Sequence, residues 1–413
     1  MKIAQISTGL SPVIPAQDLA AGREQYIYWL AEHLSRLGHE IHVIDIKEKE
    51  SQREKRRHSA SIFHEIWCPP LSYEYNLPFL RSLFGHILFT TRESIFGLLV
   101  FFPLGKLIAN EKIDVIHTHQ RETTLSAVVM NRLRGKKTVV LYTPHLVTRI
   151  NTWIRKLIHL DEILALRWAD HIIALNPSHK DLLVSEYKID HNKITSIIGG
   201  GAATDEIKEF LTQKPGTYHQ SNIILCVGII TERKNQLTAA KVISKVVAVY
   251  PEVKLVFAGH IGDTNYLNSI KDFIAQNGLS SNIEFKGLVS KQELYTLYSE
   301  ARLFLFPTTA ETQSAVIREA LSFRLPIIAS DIGAHSDIIN QREGSAILID
   351  PYDINGFASA IIRLFHDDVL RQKMSRAAGA LAETLSYNSV AHETINLYNR
   401  LVQAKKVGRG EQR

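Results

Sequence analysis

Short β-branched and aromatic runs alternate with segments of helical period along this chain, and that alternation leaves few folds open. Residues 2–8 (KIAQIST) read as a buried strand, residues 25–37 as an amphipathic helix, residues 38–40 as a turn and residues 41–46 as the next strand. Residues 115–118, 138–142 and 171–175 continue the series. The pattern restarts at 223–228 and runs through 254–258, 283–286, 303–306, 326–329 and 346–349, each followed by a helical segment or a Gly-rich turn. Strands separated by helices pair side by side in parallel sheets, with helices on both faces. At 413 residues the chain is too long for one ordinary core. The expectation is therefore an α/β protein of two facing Rossmann-like, doubly wound domains with a cleft between them. Gly, Pro and polar residues at 199–218 mark the boundary. The predicted domains are 1–203 and 204–387, with a C-terminal helix at 388–404 packing back on the first.

Apolar residues make up 45% and charged residues 22%, the composition of a soluble globular protein. Cys68 and Cys226 cannot build a disulfide framework or a zinc cluster. The first residues read as a strand and not as a secretory leader, so the expected location is the cytoplasm. No run reaches 18 to 20 uninterrupted apolar residues. The nearest, residues 94–104, carries Pro103 and reads as a buried or interfacial helix. The net charge of +6 and pI of about 9.1 favour an anionic partner. No nucleic-acid recognition motif or aromatic-interleaved basic stripe accompanies that charge, so nucleic acid is not expected. Residues 47–58 (KEKESQREKRRH) read as a solvated loop whose basic half, Arg53, Lys55, Arg56 and Arg57, could also touch anionic headgroups. The amphipathic segment 149–168 fits a surface helix or a membrane interface equally. The basic tail 405–413 is expected to fray.

Open α/β sheets bind ligands outside the carboxyl ends of their strands, so the chemistry belongs just past the predicted strands. The strongest signal there is ETQSAVIRE, with Glu311 in the loop after strand 303–306 and Glu319 inside the following helix. Amides from Thr312 to Ala315 would open that helix and suit a phosphate. The two carboxylates would accept sugar or ribose hydroxyls. Spacing alone leaves a solvated helix with two unrelated glutamates equally open. His117 and His119 point the same way from one strand end, yet the sequence supplies no third metal ligand. His117 is expected to be packed or hydrogen-bonded. Asp331, His335 and Asp337 read as a helix-capping loop.

Seven motifs in order resemble the retaining family 4 glycosyltransferases of the GT-B fold. These are AGRE at 21–24, DVIHTH at 114–119, ADHIIA at 169–174, VG at 227–228 with ERKNQ at 232–236, FAG at 257–259 with GLVS at 287–290, the Glu311 to Glu319 segment, and PIIASDIGA at 326–334. The resemblance implies that Glu319 binds the donor ribose, Glu311 the transferred sugar, and Lys234, aided by Arg233, the diphosphate. Gly228 and Gly259 would line the donor site, and Leu288 and Val289 would lie beside the base. The backbone of Thr312, Gln313, Ser314 and Ala315 would meet the β-phosphate and sugar. His119 would face the anomeric carbon, His145 would be structural or acceptor-facing, and Ala21 and Gly22 would form an acceptor loop. A nucleoside-diphosphate sugar is the implied co-substrate. No other cofactor and no metal is expected, in keeping with the lack of an Asp-x-Asp pair. The acceptor would be a small molecule, a glycan or a lipid-linked precursor, with peripheral contact at the inner face of the membrane through the N-terminal half. Ile229 replaces the family's usual phosphate-binding Arg, removing a charge-assisted bond worth about 1.5–3 kcal/mol. GGGAA at 199–203 lacks the usual Asn and Asp, Ala21 replaces a Gly, and Thr312-Gln313-Ser314 replaces Gly-Phe-Gly. A nucleotide-sugar epimerase on the same scaffold stays open, as does a non-catalytic sugar-nucleotide-binding protein.

Overall fold

The computed structural model describes residues 1–9, 13, 22–47, 59–68, 78–145, 147, 150, 159–198, 204–213, 221–311, 314–339 and 344–410. The chain divides into two compact units, Met1–Gly199 with Asn388–Arg413, and Gly200–Tyr387.

The first unit contains β1 (Lys2–Ile6), α1 (Gly22–Arg36), β2 (Glu40–Ile46), β3 (Ile62–Ile66), α2 (Pro78–Glu111), β4 (Val115–Thr118), α3 (Arg121–Leu133), β5 (Val139–Tyr142), α4 (Leu160–Trp168), β6 (His171–Ala174), α5 (Pro177–Ser185) and β7 (Ile194–Ser196). Its seven strands pair in parallel in the order β3-β2-β1-β4-β5-β6-β7. The central strands are buried on both faces, which is why they read as unbroken apolar runs. The sequence reading does not contain β3 or β7. Both are edge strands, β3 half-buried with a polar middle and β7 only three residues long, so neither carries the apolar signal of the centre.

Helix α2 departs most from expectation, because it continues through Pro103. A proline removes one N–H and leaves the carbonyl four residues earlier without its helical partner. That carbonyl belongs to Leu99, on the exposed face, where water can take it. Arg92–Glu111 is long and apolar enough, by length and composition, to cross a membrane, so Pro103 does not cut the run short. Its inner face is nevertheless committed: Phe96, Val100, Leu104 and Leu107 enter the core beside Ile6, Ile116 and Val140. Gly97 and Gly105 let α3 approach, since a Cβ at Gly97 would come within 2.8 Å of Glu122 and one at Gly105 within 2.9 Å of Met130. The outer face carries Leu98 and Phe102, 74% and 75% exposed.

The second unit contains α6 (Thr204–Gln213), β8 (Ile223–Val227), α7 (Gln236–Val246), β9 (Lys254–Ala258), α8 (Thr264–Gln276), β10 (Ile283–Gly287), α9 (Lys291–Glu300), β11 (Leu303–Phe306), α10 (Ala315–Ser322), β12 (Ile327–Ser330), α11 (Gly333–Ile339), β13 (Ala346–Ile349), α12 (Ile354–His366) and α13 (Asp368–Thr384). Six parallel strands follow the order β10-β9-β8-β11-β12-β13. Its core joins α7, α8 and α12 to the sheet through Ile243, Ile270, Phe357, Leu255 and Leu305. The last helix, α14 (Tyr387–Gly410), belongs to the first unit from Asn388 onward. There the buried Tyr398 hydroxyl shares a hydrogen bond with His117 Nδ1 at 2.7 Å. Lys405 Nζ donates to the Thr138 carbonyl and to Asp170.

Two glycines let the loops after β8 and β9 cross closely. Gly228 and Gly259 have φ of 154° and 150°, and a Cβ on Gly259 would run into the Gly228 carbonyl. Gly259→Ala is therefore expected to destabilise the second unit by about 2 kcal/mol or more, through backbone strain and forced separation of the loops. Urea unfolding monitored within that unit checks it; an unchanged midpoint would show that the loops part freely.

Candidate active site

In the second unit the chain winds from β8 to β10 on one side and then crosses to β11, β12 and β13 on the other. The switch point is therefore between β8 and β11, and parallel sheets bind ligands at such points. The two loops that meet there are pinned together. The Arg233 carbonyl accepts from the Thr309 N–H at 2.9 Å, from Thr309 Oγ1 at 3.1 Å and from Thr308 Oγ1 at 3.0 Å. Asn235, in the left-handed conformation at φ 58°, donates from Nδ2 to the Pro307 and Pro351 carbonyls at 3.0 and 2.9 Å.

That clamp aims the cations. Lys234, only 8% exposed, donates from Nζ to Glu311 Oε1 and lies 4.8 Å over the Phe306 ring. Arg233 Nη1 donates to the same Glu311 oxygen and to the Ala310 carbonyl, each at 2.7 Å. Two cations thus share one carboxylate, leaving a local excess of positive charge beside a helix start. At that start Ser314 is left-handed, with φ 40°, and makes no side-chain cap to α10. The first amides of α10 lack intrahelical acceptors, as in any helix, and suit an anion.

Glu319, on the next turns of α10, accepts from the Tyr298 hydroxyl at 2.9 Å. Burial holds its carboxyl above the usual range, and the tyrosine bond works against that rise. Tyr298 is itself fully buried and stacked on Phe323, with ring centroids 5.1 Å apart, so the donor is rigid. Leu288, just past β10, is 66% exposed, and Val289 is half-buried. Ile229, where the resembled family carries Arg, packs its side chain on Gly262, and its carbonyl accepts from Gln236 Nε2 at 2.9 Å.

One residue here escaped the sequence reading, and a second was read as part of a capping loop. Tyr298 looks like an ordinary core aromatic, and only its hydroxyl partner reveals its role. His335 does not face a capping loop as expected, although Asp331 does accept from Ser336 Oγ at 2.8 Å. It turns inward, fully buried, 5.5 Å from the Phe306 ring, because its Nδ1–H donates to the Ser330 carbonyl at 2.8 Å. Burial pushes its pKa down to about 4. The ring is thus neutral, and Nε2 carries a buried lone pair without a hydrogen-bond donor.

In the first unit the corresponding switch point lies between β1 and β4. His119 and His145 follow β4 and β5 and share a hydrogen bond of 3.1 Å between Nδ1 and Nε2. Tyr26 of α1 meets both rings edge-on at 5.8 and 5.3 Å. Burial holds both imidazoles neutral, and His119 Nε2 and His145 Nδ1 are buried without partners. Glu24, in the first turn of α1, is fully buried and accepts from Thr8 Oγ1; burial raises its carboxyl. Arg23 reaches Gln120 at 3.4 Å and Glu93 at 4.0 Å, and burial, with Glu122 close by, lifts Glu93 to about 7. Gly22 opens α1. Ala21, Thr312, Gln313, the run 48–58, residues 151–158 and the segment 199–203 lie outside the described residues.

His117 has both ring nitrogens engaged, by Thr143 Oγ1 at 2.6 Å and by Tyr398, as a packed histidine requires. Glu40, His42 and Glu111 converge at the opposite edge of this sheet, but the Lys2 ammonium sits between the carboxylates at 2.8 and 2.9 Å.

Comparison with known proteins places the chain in a family. Residues 207–380 match the family model described as glycosyl transferases group 1, and residues 20–200 match that of glycosyltransferase family 4. The chain is 27% identical to the Escherichia coli UDP-Gal:alpha-D-GlcNAc-diphosphoundecaprenol alpha-1,3-galactosyltransferase, over 65% of this chain and 70% of that one. It is 23% identical to the D-inositol 3-phosphate glycosyltransferase of Corynebacterium glutamicum, over 98% of both. In structure it resembles the sucrose-phosphate synthase of Thermosynechococcus elongatus, with a TM-score of 0.72 at 20% identity over 98% of this chain and 99% of that one; this likeness bears on the fold. With two parallel α/β units, and with the two models together spanning most of its length, the chain belongs to the family 4 glycosyltransferases of the GT-B fold and is a glycosyl-transferring enzyme.

Proposed function

We propose that this enzyme moves a sugar, with retention of anomeric configuration, from a nucleoside diphosphate to a lipid-linked acceptor. The observation that carries the reading is the convergence of Lys234 and Arg233 on Glu311 beside the uncapped start of α10. When the sugar leaves, negative charge grows on the diphosphate. A lysine and oriented amides stabilise that charge without a metal. Lys234 turns from Glu311 to the diphosphate, which frees Glu311 to accept a hydroxyl of the transferred sugar. Glu319, held by Tyr298, takes the ribose hydroxyls, and the exposed Leu288 with Val289 covers the base. On the first unit, the neutral ring of His119 and its unpartnered Nε2 support a part in turnover. The relatives compared above are named as transferases, which weighs against the epimerase and non-catalytic readings.

The binding roles separate by ligand. Lys234→Ala should weaken nucleoside diphosphate binding by about 1.5–3 kcal/mol, the worth of a charge-assisted bond, and leave free nucleoside nearly unaffected. Glu319→Ala should weaken both. Calorimetry against a panel of nucleosides and their diphosphates reads this; equal losses for the two ligands with Lys234→Ala would move that lysine away from the phosphates.

The catalytic roles separate from folding. Glu311→Gln and His119→Ala should each cut turnover by roughly two or more orders of magnitude, while urea midpoints stay close to the parent's. Rate assays with NMR assignment of the product anomer test both the roles and retention. A near-normal rate in either variant, or an inverted product, contradicts the scheme.

A lipid-linked acceptor is favoured by two observations. One relative is named for a diphosphoundecaprenol-linked substrate, and α2 turns Leu98 and Phe102 outward. Vesicles should retain the parent enzyme and release Leu98→Ser/Phe102→Ser, because burying two large apolar side chains contributes about 1.5–3 kcal/mol each. Equal retention of both proteins would take α2 out of the interface, and retention of neither would favour a soluble acceptor.

A further inference from the structure

A second basic site lies on the first unit, at the edge of the sheet where the strands begin, away from the strand ends that carry His119. A cavity of about 470 Å³ opens there among the C-terminal ends of α2 and α3, the starts of β4 and β5, and one face of α14. That volume falls within the range of small-molecule sites, about 300–1,000 Å³.

Its charge is one-sided. Lys112, Arg134, Lys137, Lys405 and Lys406 line it, against the single carboxylate of Asp114. Asp114 already accepts from the Lys2 backbone N–H at 3.0 Å, and Lys405 is committed to Thr138 and Asp170. Among the described residues, Lys112, Arg134, Lys137 and Lys406 have no carboxylate within ion-pairing distance. Helix C-termini draw cations, and the ends of α2 and α3 account for Lys112 and Arg134. They do not account for Lys137, beyond the end of α3, or for Lys406, inside α14. Lys112 also occupies a left-handed position, φ 51°, where glycine is the easier residue. Below the cations the lining is apolar, with Ile113 and Val139 buried and Ile108 and Val402 half-buried.

Unpaired like charges around one concavity focus a positive potential and concentrate anions. A phosphate monoester carries only about −1.5 to −2 charges, so four unpaired cations exceed what a single monoester neutralises. We infer that this cavity binds a ligand with clustered phosphates, a diphosphate or a bisphosphate, whose less polar part rests on Ile113 and Val139. The site is independent of the donor reading, because all its residues belong to the first unit. Clustered phosphate could come from a free phosphorylated metabolite or from a phospholipid headgroup.

The test is calorimetric titration of the full chain with inorganic pyrophosphate at low salt, run in the Lys234→Ala background to remove binding at the second unit. Arg134→Ala/Lys137→Ala/Lys406→Ala, all exposed positions, is then added. Binding should persist in Lys234→Ala and weaken at least tenfold in the combined variant, with the urea midpoint unchanged. Co-sedimentation with vesicles containing cardiolipin, whose headgroup carries two phosphates, identifies the source. A parallel loss of vesicle binding assigns a headgroup, and undiminished vesicle binding assigns a free metabolite. Absence of pyrophosphate binding in Lys234→Ala, or an affinity within twofold of that background in the combined variant, overturns the proposal.

Discussion

The candidate site of the second unit depends on a clamp no larger than one carbonyl group. Three hydrogen bonds converge on the Arg233 oxygen from Thr308 and Thr309, so the loop after β8 cannot move without the loop after β11. Each such bond contributes only about 1 kcal/mol net, but together they fix where the next residue, Lys234, points. The ion pair it makes with Glu311 is largely out of water, with side-chain exposures of 10% and 12%. A buried pair of this kind adds little stability, because desolvation offsets most of the attraction. It does hold two opposite charges ready at a known place. On the proposed reading, an anion meeting Lys234 would take the place of Glu311, so the lysine itself is already stripped of most of its water.

The parts of this arrangement that were legible in the sequence are the parts that are local. Glu311 and Glu319 share one loop and helix, Gly228 and Gly259 follow unmistakable buried strands, and Lys234 sits seven residues past the end of β8. What could not be read arises from tertiary placement. Tyr298 has the sequence surroundings of an ordinary core residue, and only the fold brings Glu319 against its hydroxyl; His335, read with Asp331 and Asp337 as a capping loop, is turned inward beside Phe306. Edge strands β3 and β7 lack the two-sided burial that writes an apolar run. The length of α2 was hidden by Pro103, which the helix carries in its interior. The basic cavity draws on three separate stretches, 108–114, 134–139 and 402–406, and no short window along the chain contains it.

The histidines of the first unit show burial deciding chemistry before any neighbour does. Desolvation is the largest influence on His117, His119 and His145, and it keeps all three neutral, His117 down to about 3. A neutral ring offers one donor and one acceptor in fixed directions, and it adds no charge where Arg23 already supplies one. His117 spends both on Thr143 and Tyr398, so its orientation is settled by packing. His119 spends one on His145 and keeps the other.

The dependence of His117 on Tyr398 has a consequence for how the protein comes into being. A ribosome releases the chain from one end, and domains tend to close as soon as their residues have emerged. The first unit cannot do so: its sheet is complete by Ser196, but one wall is α14, nearly two hundred residues later. The second unit, begun afterwards, has all its residues by Tyr387 and can close earlier. During that interval the helper partner of His117 and the lysine that caps Thr138 do not yet exist, and β4 and β5 wait with one flank bare. The unit whose residues emerge first is thus the last to have all its parts.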